Sequence, residues 1–292
     1  MNLPLISNAN TEKRLLAATR TGEFSQPIRL YYRISKQKTV LGALKKLRCV
    51  YYEKPLKRWR WMYEYEAKKI RFDIPYQKVP KEHRPLILGD FFFPSETEMV
   101  IDLRSFQRAT EAIVFFDRRI NRRVATLERV RLVNQLFDGN QPDTIEQLTP
   151  PYDHFFEHRD DIYIPDIAKM EADMDAITAQ YPDDWEQRSE AFTAYLEANT
   201  PQKSPLIEEL PANFYEDGIE SLAIALAMRT MEAKAHWDGD ESFTKMDVMD
   251  QFAAWMADEL EDELEDELME LGNEASAEST VDVASEAVSE EE

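Results

Sequence analysis

Glycine is scarce in this chain, with seven in 292 residues. Phosphate loops and dinucleotide-binding folds need several glycines at fixed places, so the scarcity argues against both. Cysteine is scarcer still. The lone Cys49 forbids an internal disulfide and a cysteine-rich zinc site, and its setting, RCVYYEK, reads as a buried, inert thiol. Long hydrophobic runs are also missing. The longest, Leu222 to Met228, falls far short of the ~20 residues of a spanning helix. The first residues, MNLPLISNANTEKR, lack a basic region ahead of their short apolar run, so no signal peptide is expected. A cytoplasmic protein, at most peripheral on a membrane, is the expectation.

Charge is plentiful and lopsided. The net is −22, yet residues 1–140 hold 28 basic and 15 acidic residues, a net of +13. The remaining residues hold 7 and 42, a net of −35. Such asymmetry predicts a basic module that meets a polyanion and an acidic module that meets something else, or meets the basic half.

The basic half is organised around Lys57 to Arg71. Trp59, Trp61, Tyr63 and Tyr65 alternate with Arg58, Arg60, Met62, Glu64 and Glu66. Successive side chains of a strand point to opposite faces, so this alternation predicts a strand with an aromatic and a basic side. Cys49 to Glu53 predicts its hairpin partner. Ile28 to Ile34 alternates as a half-buried strand, with Arg29, Tyr31 and Arg33 on its second face. Leu86 to Phe93 and Glu98 to Leu103 complete five strands, with one helix, capped by Ser35, between the first two. A short helix is expected over Thr11 to Arg20.

A long helix is expected from Ser105 to about Phe137. Phe106, Ala109, Ile113, Phe116, Ile120, Val124 and Leu127 follow one stripe at 3.6 spacing. That places Arg108, Arg118, Arg122 and Arg129 on or near the opposite side. The expected fold class is therefore α+β, with a mixed or antiparallel sheet of about five strands and a long packed helix in residues 1–140. Residues 141–165 read as a Pro- and Asp-rich linker. Residues 166–271 read as an acidic all-α domain, and residues 272–292 as a disordered acidic tail. Within that domain helices are expected over Ile167 to Tyr181, after Pro182, and over Ile219 to Ala235. The last helix is expected from Ser242 or Thr244 through Leu268.

Four patterns bear on chemistry. Trp59, Trp61 and Tyr63 could stack bases, as strand aromatics beside Arg and Lys do in sheet-type RNA modules. The competing expectation buries them as core, which turns Arg58 and Arg60 outward. Arg58, Arg60, Lys68, Lys69, Arg108, Arg118, Arg122 and Arg129 are the candidate polyanion contacts. His154-Phe155-Phe156-Glu157-His158 matches the spacing of inverted zinc proteases, which needs both histidines one turn apart on a helix; here the motif follows two prolines. Glu66-Ala67-Lys68 matches half of a metal-nuclease site without the preceding aspartate such a site needs.

These patterns favour binding over catalysis. The expectation is a regulatory or scaffolding protein without a cofactor, whose basic aromatic half engages RNA. Peripheral attachment to an anionic membrane surface through the same patch is the alternative, and a metal-dependent hydrolase using His154 and His158 is a third. The acidic C-terminal helix is expected to be a bundle helix with a solvated outer face, to dock on a basic protein partner, or to fold over the basic half as an autoinhibitory module.

Overall fold

The computed structural model describes residues 14–140, 152–212 and 218–249. The chain divides into two compact units, Met1–Phe243 and Thr244–Glu292. The first holds β1 (Ile28–Ile34), α1 (Gln37–Leu44), β2 (Val50–Glu53), β3 (Arg58–Met62), β4 (Ile87–Phe92) and β5 (Glu98–Leu103). These are followed by α2 (Phe106–Asp117), β6 (Ala125–Val133), α3 (Asp153–Phe156), α4 (Ile167–Gln180), α5 (Trp185–Asn199), β7 (Ile207–Pro211) and α6 (Glu220–Asp238).

The seven strands form one sheet in the order β2-β3-β4-β5-β1-β6-β7, and every neighbouring pair is antiparallel. Alternation gives this sheet two unlike faces. Ile28, Leu30, Tyr32, Trp61, Phe91 and Ile101 point into one main core, which Phe106, Ala109, Ile113 and Phe116 of α2 share with Leu222 and Leu226 of α6. Gly89 stands on that face between its strand partners Trp61 and Leu103. A Cβ there would lie 2.7 Å from a Leu103 methyl carbon, so the position is kept clear for its bulky neighbours.

Trp59, Trp61 and Tyr63 are all buried in this core, and Trp61 is fully enclosed between Phe115 and Phe116 at centroid distances of 5.3 and 5.1 Å. The aromatic side of β3 therefore faces protein, and its rings are not available to stack bases.

The helix expected from Ser105 to Phe137 stops at Asp117. Ser105 caps it, its hydroxyl accepting from the Arg108 N–H at 3.1 Å. After a turn in which the Val124 and Ala125 N–H groups both reach the Asn121 carbonyl, the chain becomes β6. The stripe that suggested helix is still buried at Ile120 and Leu127. However, ATLERVRLV also fits period two once Glu128 is set aside as an extra residue of β6, bulged opposite the Tyr31–Tyr32 step of β1. Its β-branched residues favour a strand, and the central place between β1 and β7 settles the ambiguity. Two further expectations give way. Residues 14–20 run extended, with bridges Leu16↔Asp138 and Ala18↔Phe24, and hold no helix; residues 11–13 lie outside the described residues. Ser35 does not cap α1 and instead donates its hydroxyl to the Arg123 carbonyl at 2.9 Å.

The sheet is not confined to residues 1–140. β7 pairs with β6, and Arg229 of α6 holds the β7 carboxylate Glu208 in a buried ion pair. A second apolar cluster, with Phe137, Tyr152, Phe155, Phe156 and Ile207, seats α3 beside β6 and β7. In the second unit Thr244 and Asp247 cap the start of the last helix reciprocally: the Thr244 N–H reaches the Asp247 carboxylate at 2.7 Å. Its apolar positions Phe252, Met256, Leu260, Leu264 and Leu268 lie outside the described residues, as does the tail expected over 272–292. No helix among the described residues is long and apolar enough to cross a membrane.

Trp61 supplies a test of the face assignment. Trp61→Ala should lower stability by about 3–5 kcal/mol, read as a shift of the urea midpoint, because its whole ring is core. A variant that melts like the parent would mean the aromatic side is not the buried one.

Candidate nucleic-acid interface and the open sheet face

The face opposite the core carries two straight rows of side chains, set by strand register. The first is Arg60–Asp90–Asp102–Arg29–Arg131–Glu209, each residue the direct partner of the next. The second is Arg58–Phe92–Val100–Tyr31–Arg129. Phe92, Val100, Tyr31 and Arg129 are successive partners, and Arg58 lies opposite Phe92 because the following Trp59 pairs with Phe91.

Arg29 is the centre of the first row. Its Nε and Nη2 donate to the two oxygens of Asp102 at 2.6 and 2.9 Å, and its Nη1 meets Asp153 at 2.8 Å and Glu157 at 3.0 Å. Burial opposes a charged Arg29, but the Asp102 bonds outweigh it, so the guanidinium is held more firmly protonated than usual. Tyr31 donates to Glu157 at 2.8 Å, and burial pushes its phenol well above the ordinary value. Asp90 is less well served. Its Oδ2 is 3.5 Å from Arg58, and its buried Oδ1 has no hydrogen bond among the described residues.

Arg58 and Arg60 point away from the aromatics, as alternation requires. They are not free cations, however. Both donate to Glu53, at 2.7 and 2.6 Å. Arg129 lies on β6 of the same face, over the Tyr31 ring at 4.2 Å. The remaining candidate arginines are scattered. Arg108 is buried, with Nε 3.0 Å from Glu23 and Nη2 bonded to Thr21. Arg118 is exposed at the end of α2, and Arg122 is exposed and bonded to Asp117 at 3.0 Å. No shared arginine face forms, because α2 ends before it could.

Lys68 and Lys69 are exposed, in the 3₁₀ turn Tyr65–Lys69 that follows β3. Here cations and rings alternate. Arg48 stacks over Tyr65 at 4.0 Å, Lys68 lies 4.4 Å from the Tyr76 centroid, and Arg84 covers the same ring at 4.5 Å. Buried neighbours build this ladder. The Tyr63 hydroxyl donates to the Ile70 carbonyl at 2.9 Å and accepts from the Tyr76 N–H at 3.0 Å, joining the two tyrosine-bearing turns. Glu66 accepts from the Arg48 and Cys49 N–H groups at 3.3 and 3.0 Å. That carboxylate is thus a backbone clamp, away from the metal-nuclease role. Burial pushes the Cys49 thiol up to about 12, so it stays protonated.

Residues 36–84 hold 15 basic and five acidic residues. Among the described residues, no carboxylate lies within ion-pair distance of Lys45, Lys46, Arg48, Lys68 or Lys69. The sequence pointed to Lys68 and Lys69 but not to Arg48, Tyr76 or Arg84. Their signal was available as tyrosines and cations interleaved across the Pro-punctuated loop.

The zinc-protease spacing does not acquire its geometry. α3 ends at Phe156, and His158 follows in a left-handed conformation with φ of 56°, so the histidines are not one helical turn apart. Glu157 turns to Arg29 and Tyr31 instead. Among the described residues no group of three or more metal-binding side chains forms.

Asp90 generates a pH prediction. Burial lifts its carboxyl from 3.8 to about 6, with Arg58 only partly opposing. Between those values the folded state binds more protons than the unfolded chain, so stability falls as pH rises through that window. Above it the ionised group costs on the order of 2–3 kcal/mol. Asp90→Asn should therefore be more stable than the parent at pH 8, with the gap closing by pH 4, read from urea melts at both.

No family model matches this chain, and no curated protein or solved structure matches it.

Proposed function

We propose that this protein binds a single-stranded polyanion, RNA in the first instance, through the basic surface formed by the end of α1 and the turns after β3. The observation that supports this reading most is the ladder of Arg48, Tyr65, Lys68, Tyr76 and Arg84. Single-strand binders combine a cationic track for the backbone with planar groups on which bases stack, and both tyrosine rings and guanidinium planes serve as such platforms. The unpaired lysines beside the ladder supply the phosphate contacts. No nucleotide-specific pocket is invoked, so the binding should be tolerant of sequence.

The role is regulatory or scaffolding. Residues 246–292 hold 18 acidic and no basic residues. Such a segment competes with a polyanion for the same lysines at high effective concentration. Removing residues 250–292 should tighten RNA binding at low salt, with the gain shrinking as salt screens the competition.

Fluorescence anisotropy with a labelled single-stranded RNA tests the surface. Tyr65→Ala should weaken binding by about 1–3 kcal/mol, the value of one stacked base. The double change Lys68→Ala with Lys69→Ala should flatten the slope of log K against log salt by about 1.4, at roughly 0.7 per lost contact. Unchanged affinity in both variants would refute this surface. Vesicles containing phosphatidylserine form the second arm: flotation with vesicles but no RNA binding would replace the polymer by an anionic membrane.

A further inference from the structure

We propose a second binding site, independent of the polyanion surface: the cleft over the open sheet face takes an organic cation, an amine or guanidinium carried on an apolar body. The cleft encloses about 700 Å³, within the range of small-molecule sites. Its floor is the second register row. Phe92, Val100 and Tyr31 lie side by side on three neighbouring strands, an apolar strip about 10 Å across at the usual strand spacing. Arg58 and Arg129 close the strip at its two ends, and Leu56 and α3 stand at its margin.

At first sight four lining arginines suggest an anion, but the ion-pair network argues the opposite. Every lining arginine is already engaged. Arg29 has three carboxylate partners, Arg58 has two, Arg129 has three and Arg131 has two. With Arg33 and Arg60 included, the pairs fall into two separate groups: Arg58 and Arg60 with Glu53 and Asp90, and Arg29, Arg33, Arg129 and Arg131 with Asp102, Asp153, Glu157, Glu98, Glu128 and Glu209. An entering anion would have to displace a carboxylate and leave it unpaired on a partly dehydrated face, a costly exchange. An entering cation displaces nothing: the lining is balanced at four arginines and four carboxylates, and two of those carboxylates, Glu98 and Asp153, each meet a single arginine.

The acceptors with spare capacity line the cleft. The Asp153 side chain is 59% exposed and meets only Arg29. Glu98 meets only Arg129, at 3.5 Å. Glu98 and Asp153 stand on opposite flanks of the Phe92–Val100–Tyr31 strip, so the cationic head would meet one or the other while the strip carries the body.

Titration calorimetry on the full chain tests this with three probes of one shape: 4-phenylbutylamine, 4-phenylbutanol and 4-phenylbutyrate. The amine is expected to bind at least about tenfold more tightly than the butyrate, with the alcohol between. The double variant Glu98→Gln with Asp153→Asn should lose about tenfold in amine affinity, and Glu98→Gln alone, which leaves the Arg29 contacts intact, should weaken it at the parent's melting temperature. Single variants Glu98→Gln and Asp153→Asn each serve if the pair melts early. The proposal is overturned if the butyrate binds as well as the amine, if no amine heat is seen to millimolar concentration, or if amine affinity ignores the substitutions. The last outcome would mark diffuse attraction to an acidic chain.

Discussion

Arg29 is a buried cation in the middle of the sheet, and the open face is built to hold it. A guanidinium with a side chain 5% exposed is tolerable only if its donors are matched, because an isolated buried charge costs many kcal/mol. Asp102 on β5 takes two of its hydrogen bonds, and Asp153 and Glu157 at α3 take the others. Those carboxylates in turn fix their own elements. Glu157 can reach Arg29 only if α3 stops at Phe156 and folds back over β1. The Phe155 and Phe156 rings can then drop into the cluster beside β6 and β7. One charge therefore ties the strand pairing to the position of the short helix.

The same logic spreads sideways. Straight register across five antiparallel pairings sets like positions in rows, so a charge on one strand is answered on the next. Asp90 and Asp102 stand next to each other in the row, and each needs a cation from its other side. Arg60 and Arg58 reach Asp90, at 3.7 and 3.5 Å, while both prefer Glu53. Asp90 is left as the weakest-served member and Asp102 as one of the best.

Much of this was legible in the sequence. Alternation in Ile28–Ile34 and Arg58–Trp61 separated the residues of the two faces, but the half-buried reading of Ile28–Ile34 missed that Arg29 and Tyr31 are buried as well, and Met62 left the alternation at a register shift. β4 was visible as an apolar run, and β5 as the next strand after the Pro94–Ser95 turn. β6 was not, since its core residues satisfy helical and strand spacing alike and only the vacant place beside β1 distinguishes them. β7 was hidden for a different reason. IEELP is short and half acidic, and Glu208 is buried only because Arg229 arrives from a helix far along the chain. Arg108 misled for the same reason: one-dimensional spacing places a residue on a helix side but cannot show that Glu23 waits there. The aromatic ladder needed two turns folded together by Tyr63, a contact no local pattern announces.

Arginine and lysine divide the surface according to their chemistry. The sheet face uses arginine almost throughout, since a planar fork can satisfy two carboxylates at once in a fixed lattice of strands. The turns after β3 use lysine among the ladder's arginines, and those lysines have no carboxylate partner among the described residues. Lysine is a poor lattice residue, being a mobile, strongly hydrated point charge, but it suits contacts with phosphates whose positions vary along a flexible strand. β3 sits at the junction of the two regimes. Its arginines are consumed by Glu53 and Asp90, while its continuation through Tyr65 and Lys68 is left unneutralised. Net charge of the basic half is therefore a weak guide to where a polyanion would bind. Its arginines mostly hold the sheet, and the cations with no structural task are concentrated where the chain leaves it.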